Sequence, residues 1–534
     1  MATARPALSP PEQRPLDFVT RLAAIRDRLE SARFTRVHSR LLLAAVILFY
    51  LAITALSVSR QLWHDELFTY YIAKSPSLAR FWQAVHLDLN PPLSYLLVRG
   101  SIALIGDSIY ATRFPSIIGF LVGSLCFYRF VSKRLGPAFA LLAMLVFWAT
   151  PFFSFSTEAR PYGLIVGFFG IAMLAWDAAT ETRRSGFAIP MLAFAVTGMM
   201  LSHFLTVFYI LPFCLAELFR WYLSRRFDLP LWAALLVPLI IPFAYLSTMK
   251  RYQAALFPPS FQASLGKVTG FFYRTLDPES LILLLALCLA MVVAFRRERR
   301  VGGSAISSKP LDAVFSVGLL SLPLLINVVV MRSHGVAFHR YSGPTVFAYG
   351  LLFAFFLAVY TNANRLAALV ASFLLLVYIA GVNLVPPALT VWHTWRTPTR
   401  DSLPPPFIQG VRPDLPLVAA SGLTFLEMDR YADPVTVSRL YYLCDRELAI
   451  HYAHATIFEG FPVLKQYFPI RANVEPYQEF VRQHPSFLVL GTPDYPEDWL
   501  LRRLMDIHAI VRYLGDFPGP YKDSQLYAVS MPGS

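Results

Sequence analysis

Eleven apolar runs of near-spanning length punctuate the chain, at 41–58, 110–131, 138–154, 162–179, 187–202, 204–219, 229–248, 280–295, 311–330, 342–360 and 366–386. A helix that crosses a bilayer core needs roughly 20 apolar residues, so the pattern predicts a polytopic α-helical membrane protein. The segment 93–105, L-S-Y-L-L-V-R-G-S-I-A-L-I, is shorter and broken by Arg99 and Gly100, which predicts an interfacial helix instead of a span. Beyond 387 the pattern changes. W-H-T-W-R-T-P-T-R and the Pro-rich S-L-P-P-P-F read as a stiff linker into a soluble α/β domain over 388–534. There P-L-V-A-A, V-T-V-S-R-L-Y-Y-L, S-F-L-V-L-G and Q-L-Y-A-V-S have strand composition, while E-D-W-L-L-R-R-L-M-D-I-H-A has helical spacing.

Composition agrees with this division. The 534 residues are 56% hydrophobic, only 15% charged and include 44 Phe, too apolar for one soluble globule. The net charge of +14 raises the question of nucleic acid, but the basic residues collect in short clusters between apolar runs. These are Lys133/Arg134, Arg183/Arg184, Arg220/Arg225/Arg226, Arg296/Arg297/Arg299/Arg300 and Arg365. With the segment 1–40 and its eight Arg in the cytoplasm, every cluster falls on the cytoplasmic side only if 93–105 does not span. The charge is therefore read as topology, not as a nucleic-acid surface. The loops 59–109, 155–161, 249–279 and 331–341 and the C-terminal domain are expected on the other side, the periplasm of a bacterium. The first run, entered without a cleavage site, reads as a retained span. Cys126, Cys214, Cys288 and Cys444 offer neither a disulfide framework nor metal-knuckle spacing.

This topology sorts the unusual polar residues onto one face. Asp65 and Glu66 (W-H-D-E-L) share the first outer loop with His86, Asp88 and Asn90 (H-L-D-L-N-P-P-L). Glu158, Arg160 and Tyr162 (T-E-A-R-P-Y), His203 (S-H-F), and His334, His339, Arg340 and Tyr341 (R-S-H-G-V-A-F-H-R-Y) follow in later loops. Singly, each has an ordinary structural explanation: a snorkelling Arg, a helix cap, a surface ion pair. Together, ionisable groups gathered at a membrane boundary make a site hypothesis. Carboxylates suit a base that activates a hydroxyl, and guanidiniums grip phosphate oxygens, so the set points to transfer from a lipid phosphate.

The order of motifs resembles that of membrane glycosyltransferases with the GT-C fold. The acidic D-E pair after the first span, P-P-L-x-Y-L-L, G-D-S-x-x-A-T-R-F-P-S, E-A-R-P-Y, S-H-F and R-Y-x-x-P occur in that sequence over about 40–390. The branch it is most similar to holds protein O-mannosyltransferases and the lipid A aminoarabinose and galacturonic acid transferases. The resemblance implies an inverting transfer of sugar from a polyprenyl-phosphate donor to an acceptor glycolipid, lipid A, polysaccharide or protein. In that light Asp65 is the catalytic base, Glu66 shapes the same pocket and Glu158 is an acceptor-side carboxylate. Arg340 and Tyr341 hold the donor phosphate, with Arg160, Tyr162 and His339 assisting, while His86, Asp88, Asn90 and His203 are further site candidates. Where many relatives carry His or Glu-Lys before the Pro-Pro pair, this chain has Leu89-Asn90, so no metal ligand carries over. The metal stays unknown, with a divalent cation open because carboxylates and histidines are present.

Two other classes are weighed. A transporter or flippase has as many spans, but should show paired halves with charge at the midplane, and no halves match here. A non-catalytic envelope scaffold leaves the convergence of Asp65, Glu66, Glu158 and Arg340 unexplained. The expected organisation is a cytoplasmic segment 1–40, a membrane catalytic domain 41–387 and a periplasmic domain 388–534, in the cytoplasmic membrane.

Overall fold

The computed structural model describes residues 36–88, 90–181, 185–245, 263–295, 310–333, 335–336, 338–396, 411–456, 459–492, 495, 498–517 and 524–532. The expected cytoplasmic segment before 36, the clusters at 183–184 and 296–300, His334 and the linker 397–410 lie outside them.

Helix α1 (Arg36–Ser57) is followed by three short helices, α2 (His64–Ala73), α3 (Leu78–Asp88) and α4 (Leu93–Ile105). The bundle continues through α5 (Ile109–Leu135), α6 (Pro137–Trp148), α7 (Pro161–Ala179), α8 (Ala188–Met200), α9 (Leu211–Ser224) and α10 (Leu229–Leu236). After α11 (Val268–Thr275) come α12 (Pro278–Phe295), α13 (Pro310–Arg332), α14 (Thr345–Tyr360) and α15 (Arg365–Asn383). An apolar helix stands at each of the eleven runs, but among the described residues seven are long enough to cross a membrane, or eight with one bent pair. That pair is α6 with the 3₁₀ turn Pro151–Thr157, bent by 84° where Pro151 follows the helix end. Ala188–Met200, Leu229–Ala244 and Thr345–Tyr360 are shorter apolar helices, and Pro238 and Pro242 interrupt the second of these. Helix α12 leaves Ile282, Leu285, Leu289 and Val293 exposed at 61–73% along one stripe, a surface suited to lipid contact. The molecule is an integral membrane protein.

Segment 93–105 is a 13-residue helix, about 20 Å long and too short to span. Its Arg99 explains the interruption. The guanidinium donates to the carbonyls of Ala73 and Ser75, both at 2.8 Å, capping the carboxyl end of α2.

Two glycine pairs at i, i+4 spacing lock α5 to α7. A Cβ at Gly119 would lie 2.5 Å from the Cα of Leu164, and one at Gly123 2.4 Å from the carbonyl of Val166. On the partner helix, a Cβ at Gly163 would lie 2.6 Å from the Ser116 carbonyl, and one at Gly167 2.6 Å from that of Gly119. This is the small-residue packing by which membrane helices approach backbone to backbone. It brings the amino ends of α5 and α7 together, and Ser116 Oγ donates to the carbonyl of Arg160 at 2.7 Å. At the other end of α5, about 30 Å away by helical rise, Arg134 bonds Asp177 at 2.9 Å and Asp312 at 2.8 Å. Lys133 there meets Asp177 and Glu181.

Helix α16 (Val385–Arg396) leads towards the C-terminal domain. Its six strands are β1 (Leu417–Ala419), β2 (Leu440–Cys444), β3 (Asn473–Pro476), β4 (Ser486–Gly491), β5 (Ile510–Phe517) and β6 (Ser524–Ser530), in sheet order β3-β2-β1-β4-β6-β5. The first four are parallel, and β6 and β5 close the sheet antiparallel. Helices α17 (Gly422–Tyr431) and α18 (Trp499–Asp506) are N-capped by Ser421 and Asp498. The expected strand over 435–443 holds only from Leu440. Pro434–Ser438 is a helical turn because Asp433 accepts from Val435 N–H and Thr436 N–H, with Pro434 at the first position. One face of the sheet shares a core with α2 to α4, in which Leu67, Tyr71, Phe81 and Tyr95 pack with Leu417, Phe425, Phe461 and Phe468.

Candidate active site

Glu66 and Arg113 form the buried footing of the site, each 0% exposed. Arg113 sits in the first turns of α5, where the hydroxyl of Ser108 accepts from Ala111 N–H. All five of its N–H groups are used: two on Glu66 at 2.6 and 2.7 Å, three on the carbonyls of Val58, Arg60 and Gln61. Glu66 accepts in addition from Arg60 Nη1, Trp63 N–H and Ala159 N–H. Burial would raise its carboxyl, but the Arg113 bonds and charge, then Arg60 and Ala159, hold it below the usual carboxylate range. Its two oxygens take five donors, so no acceptor position is left for a substrate.

Asp65, the next residue, points elsewhere. Its carboxylate lies 3.5 Å from Arg160 Nη2 and 3.5 Å from Arg340 Nη2. Burial pushes its pKa up, but Arg160, then Arg340, then His64 outweigh this and hold it below the usual value. The side chains of Asp65, Arg160 and Arg340 keep 22%, 15% and 18% of their surface open. The three charges thus meet at one partly open place, a recess in which each side chain keeps some accessible surface.

Around this triad the aromatic and polar neighbours come from separate elements. Arg160 is the N-cap of α7, ahead of Pro161. Arg340 lies on the 3₁₀ turn His339–Ser342, its guanidinium 4.2 Å above the Phe338 ring and 5.9 Å from the rings of Tyr162 and Tyr341. The Tyr209 hydroxyl donates to the Tyr341 carbonyl at 2.6 Å and pins that turn. His203 caps the turn Phe204–Ile210 by accepting from Leu205 N–H, and its ring sits 5.2 Å from Tyr341 and 5.9 Å from Tyr162. Burial first, then Arg160 and Arg340, lower His203 to about 3, so its imidazole is neutral. Burial, then Arg340 and Arg274, lower His339 to about 4. Burial lowers His64 to about 4, with Asp65 opposing and Arg160 adding to the shift. Burial, then Glu66, push Glu158 up to about 7, against Arg60 and Arg160.

Among the described residues, five buried polar atoms here have no partner: Glu158 Oε2, Arg160 Nε, Tyr162 OH, His339 Nδ1 and Arg340 Nε. Buried polar groups are almost always satisfied, so such a concentration around one recess marks a place for water or a polar ligand.

Asp88 bonds the Tyr95 hydroxyl and accepts from Asn90 Nδ2 at 3.0 Å. Burial raises its pKa, and the charges of Arg160 and Asp65 reach it, which puts Asp88, Asn90 and Tyr95 beside the recess. His86 does not join them. Two positions back on α3 it faces about 200° away, exposed, with Nδ1 on the Trp82 carbonyl. Arg113 and Tyr95 stand inside the motifs A-T-R-F-P-S and P-P-L-x-Y-L-L, but neither they nor Arg60 figured among the site candidates. An Arg inside an apolar helix, as Arg113 is in A-T-R-F-P-S, was the available signal, since it requires a buried carboxylate. Among the described residues no three His, Cys, Asp or Glu side chains gather as a metal site.

The architecture has the GT-C-like fold that the motif order implied. A family model described as dolichyl-phosphate-mannose-protein mannosyltransferase matches residues 89–247. The crystal structure of ArnT from Cupriavidus metallidurans in the apo state aligns with a TM-score of 0.53 at 12% identity, over 91% of this chain and 97% of that one. The same protein bound to undecaprenyl phosphate aligns with a TM-score of 0.51 at 11% identity, over 92% and 98%. No curated protein matches. At these identities the structural likeness establishes the fold.

Proposed function

We propose that the chain is an inverting glycosyltransferase that moves a sugar from a polyprenyl-phosphate donor to an acceptor on the periplasmic face of the bacterial cytoplasmic membrane. The observation that carries this reading is the Asp65 carboxylate held between Arg160 and Arg340 at 3.5 Å each, inside a recess lined by unpartnered polar atoms. The mannosyltransferase family match and the undecaprenyl phosphate bound by ArnT support this donor class. The acceptor, whether glycolipid, lipid A, polysaccharide or protein, is the open variable. The Lys133 and Arg134 cluster at the far end of α5 supports the orientation.

The reaction is one displacement. Asp65 removes the proton of the acceptor hydroxyl, the oxygen attacks the anomeric carbon, and the bond from that carbon to the phosphate oxygen breaks. The phosphate leaves onto Arg160 and Arg340, which make charge-assisted bonds to its oxygens. Before the donor arrives, those same guanidiniums hold Asp65, and a carboxylate so stabilised is a weak base. A donor phosphate competes for both, so Asp65 gains basicity when its substrate is present. Glu66, saturated by Arg113, positions the helix, and Glu158 faces the acceptor side.

The test is sugar transfer by the purified protein from synthetic polyprenyl-phosphate sugars, alongside Asp65→Asn. Loss of a general base costs about 10²–10⁴-fold in rate, so a variant with near-normal turnover would sink the assignment. Mass spectrometry of envelope lipids and glycans from a deletion strain identifies the sugar and acceptor.

A further inference from the structure

Helix α2, which presents Asp65, is gripped from two sides. From the membrane domain, Arg113 and Ala159 N–H hold Glu66, and Arg99 caps the last carbonyls. The second grip belongs to the C-terminal domain. The Tyr431 hydroxyl at the end of α17 accepts from Leu62 N–H at 2.7 Å, two residues before α2 begins. Leu62 is 1% exposed, so its N–H has no water to turn to. From the helix itself, the Tyr71 hydroxyl donates to Asp429 Oδ2 at 2.5 Å. Asp429 is 1% exposed and is fixed in turn by Arg471 N–H and Ala472 N–H. Arg430 lies 4.6 Å over the Tyr70 ring, and Phe68 packs between Phe461 and Phe468 at 6.3 and 5.7 Å.

We propose that the C-terminal domain is a positioning module for transfer: Tyr431 and Asp429 hold α2 at the height where Asp65 meets Arg160 and Arg340. The proposal rests on the reading of Asp65 as the base. A domain carried only as an acceptor-binding appendage needs no buried hydrogen bonds to that helix. Displacement of a catalytic group by about 1 Å costs on the order of 10²-fold in rate, so small slack in this second grip is enough to matter. Arg340 lies on a separate turn, pinned by Tyr209, and keeps its place when the grip loosens. Tyr431 and Asp429 are therefore positioning residues, acting through the helix.

The experiment uses the full chain in lipid nanodiscs, with Tyr431→Phe and Tyr71→Phe, which remove one hydroxyl from either side of the contact. Tyr452→Phe serves as control, because its hydroxyl bonds Asp506 at the surface of the same domain. Hydrogen exchange over 61–73 should quicken about tenfold in the first two variants, as loss of a buried hydrogen bond implies, while β4 exchanges as before. The number of undecaprenyl phosphate binding sites and their affinity should stay within about threefold, and turnover per occupied site should fall tenfold or more. A merely structural role lowers the number of binding-competent molecules and leaves turnover per site unchanged. Unchanged exchange over 61–73, equal loss of protection in β4, or normal turnover per site would each overturn the proposal. Asp65→Asn, run in parallel, separates the two ideas. If it keeps turnover the base assignment fails, while the exchange data still decide whether the domain holds the helix.

Discussion

Removing the charge of Asp65 should do two opposite things: abolish transfer and tighten binding of the lipid phosphate. The carboxylate lies 3.5 Å from each of two guanidiniums, and a phosphate that takes those guanidiniums comes within about 5 Å of it. Two unit negative charges at that distance repel by about 3 kcal/mol at an effective dielectric of 20, and by about 1 kcal/mol in water. Because Asp65 keeps 22% of its side chain open, the effect should fall between these limits. Asn at this position preserves shape and removes the repulsion, so affinity should rise about 5- to 100-fold by the usual conversion of 1.4 kcal/mol per decade. The assay is direct titration of wild type and Asp65→Asn with undecaprenyl phosphate in detergent at neutral pH, beside a transfer assay. Equal or weaker binding by Asp65→Asn would refute the idea that phosphate and carboxylate compete for the same arginines. Near-normal transfer would refute the base.

Arg340→Ala removes one charge-assisted contact worth about 1.5–3 kcal/mol, so donor affinity should drop about 10- to 100-fold, read as KM for the donor; an unchanged KM counts against the phosphate role. Glu66→Gln leaves the buried Arg113 charge uncompensated, and breaking such a pair costs about 3–5 kcal/mol. Its thermal unfolding temperature in detergent should fall well below that of Asp65→Asn, and equal stability would show that the pair is not a structural anchor. Glu158, pushed up to about 7 from 4.5, is favoured protonated in the folded state. Its stabilising contribution is therefore complete below pH 4.5 and is lost as pH rises through about 7. Above that pH it adds negative charge beside Asp65, so affinity for a phosphodiester donor, whose own charge is fixed, should weaken from pH 6 to 8. Glu158→Gln should flatten both slopes, and a profile that keeps its shape removes Glu158 from the recess.

The chain's hydrophobic rhythm made the bundle legible because each run carries its own evidence, and an apolar helix stands at every one. Segment 93–105 was separable for a physical reason that the structure supplies: Arg99 has carbonyls to cap on α2. The convergence of Asp65, Arg160 and Arg340 was also legible, since loop charge alone places them on one face. What the sequence hid was pairing. Glu66 looks as chemical as Asp65, yet its partner stands 47 positions on, in α5, and nothing local distinguishes the two neighbours. His86 and Asp88 looked like one motif, but helical geometry turns them apart. In the C-terminal domain, strand composition over 435–438 lost to a capping Asp433 followed by Pro434.

The glycines explain how residues so far apart in sequence hold their separation. Arg113 heads α5 and Arg160 heads α7, and the two helices meet backbone to backbone through Gly119, Gly123, Gly163 and Gly167. A Cβ at Gly119 or Gly123 would lie about 2.5 Å or less from backbone atoms of the facing helix, so a larger residue must part the helices. Parting them would separate Ala159 N–H, just before α7, from Glu66, which Arg113 holds from α5. Glu66 adjoins Asp65 on α2, so the stripe of small residues governs where Asp65 meets Arg160. The spacing G-x-x-x-G in both spans is therefore part of the site, although no glycine touches the recess. The Glu66 side of the site rests on this backbone contact, while the Arg340 side rests on a separate turn held by Tyr209.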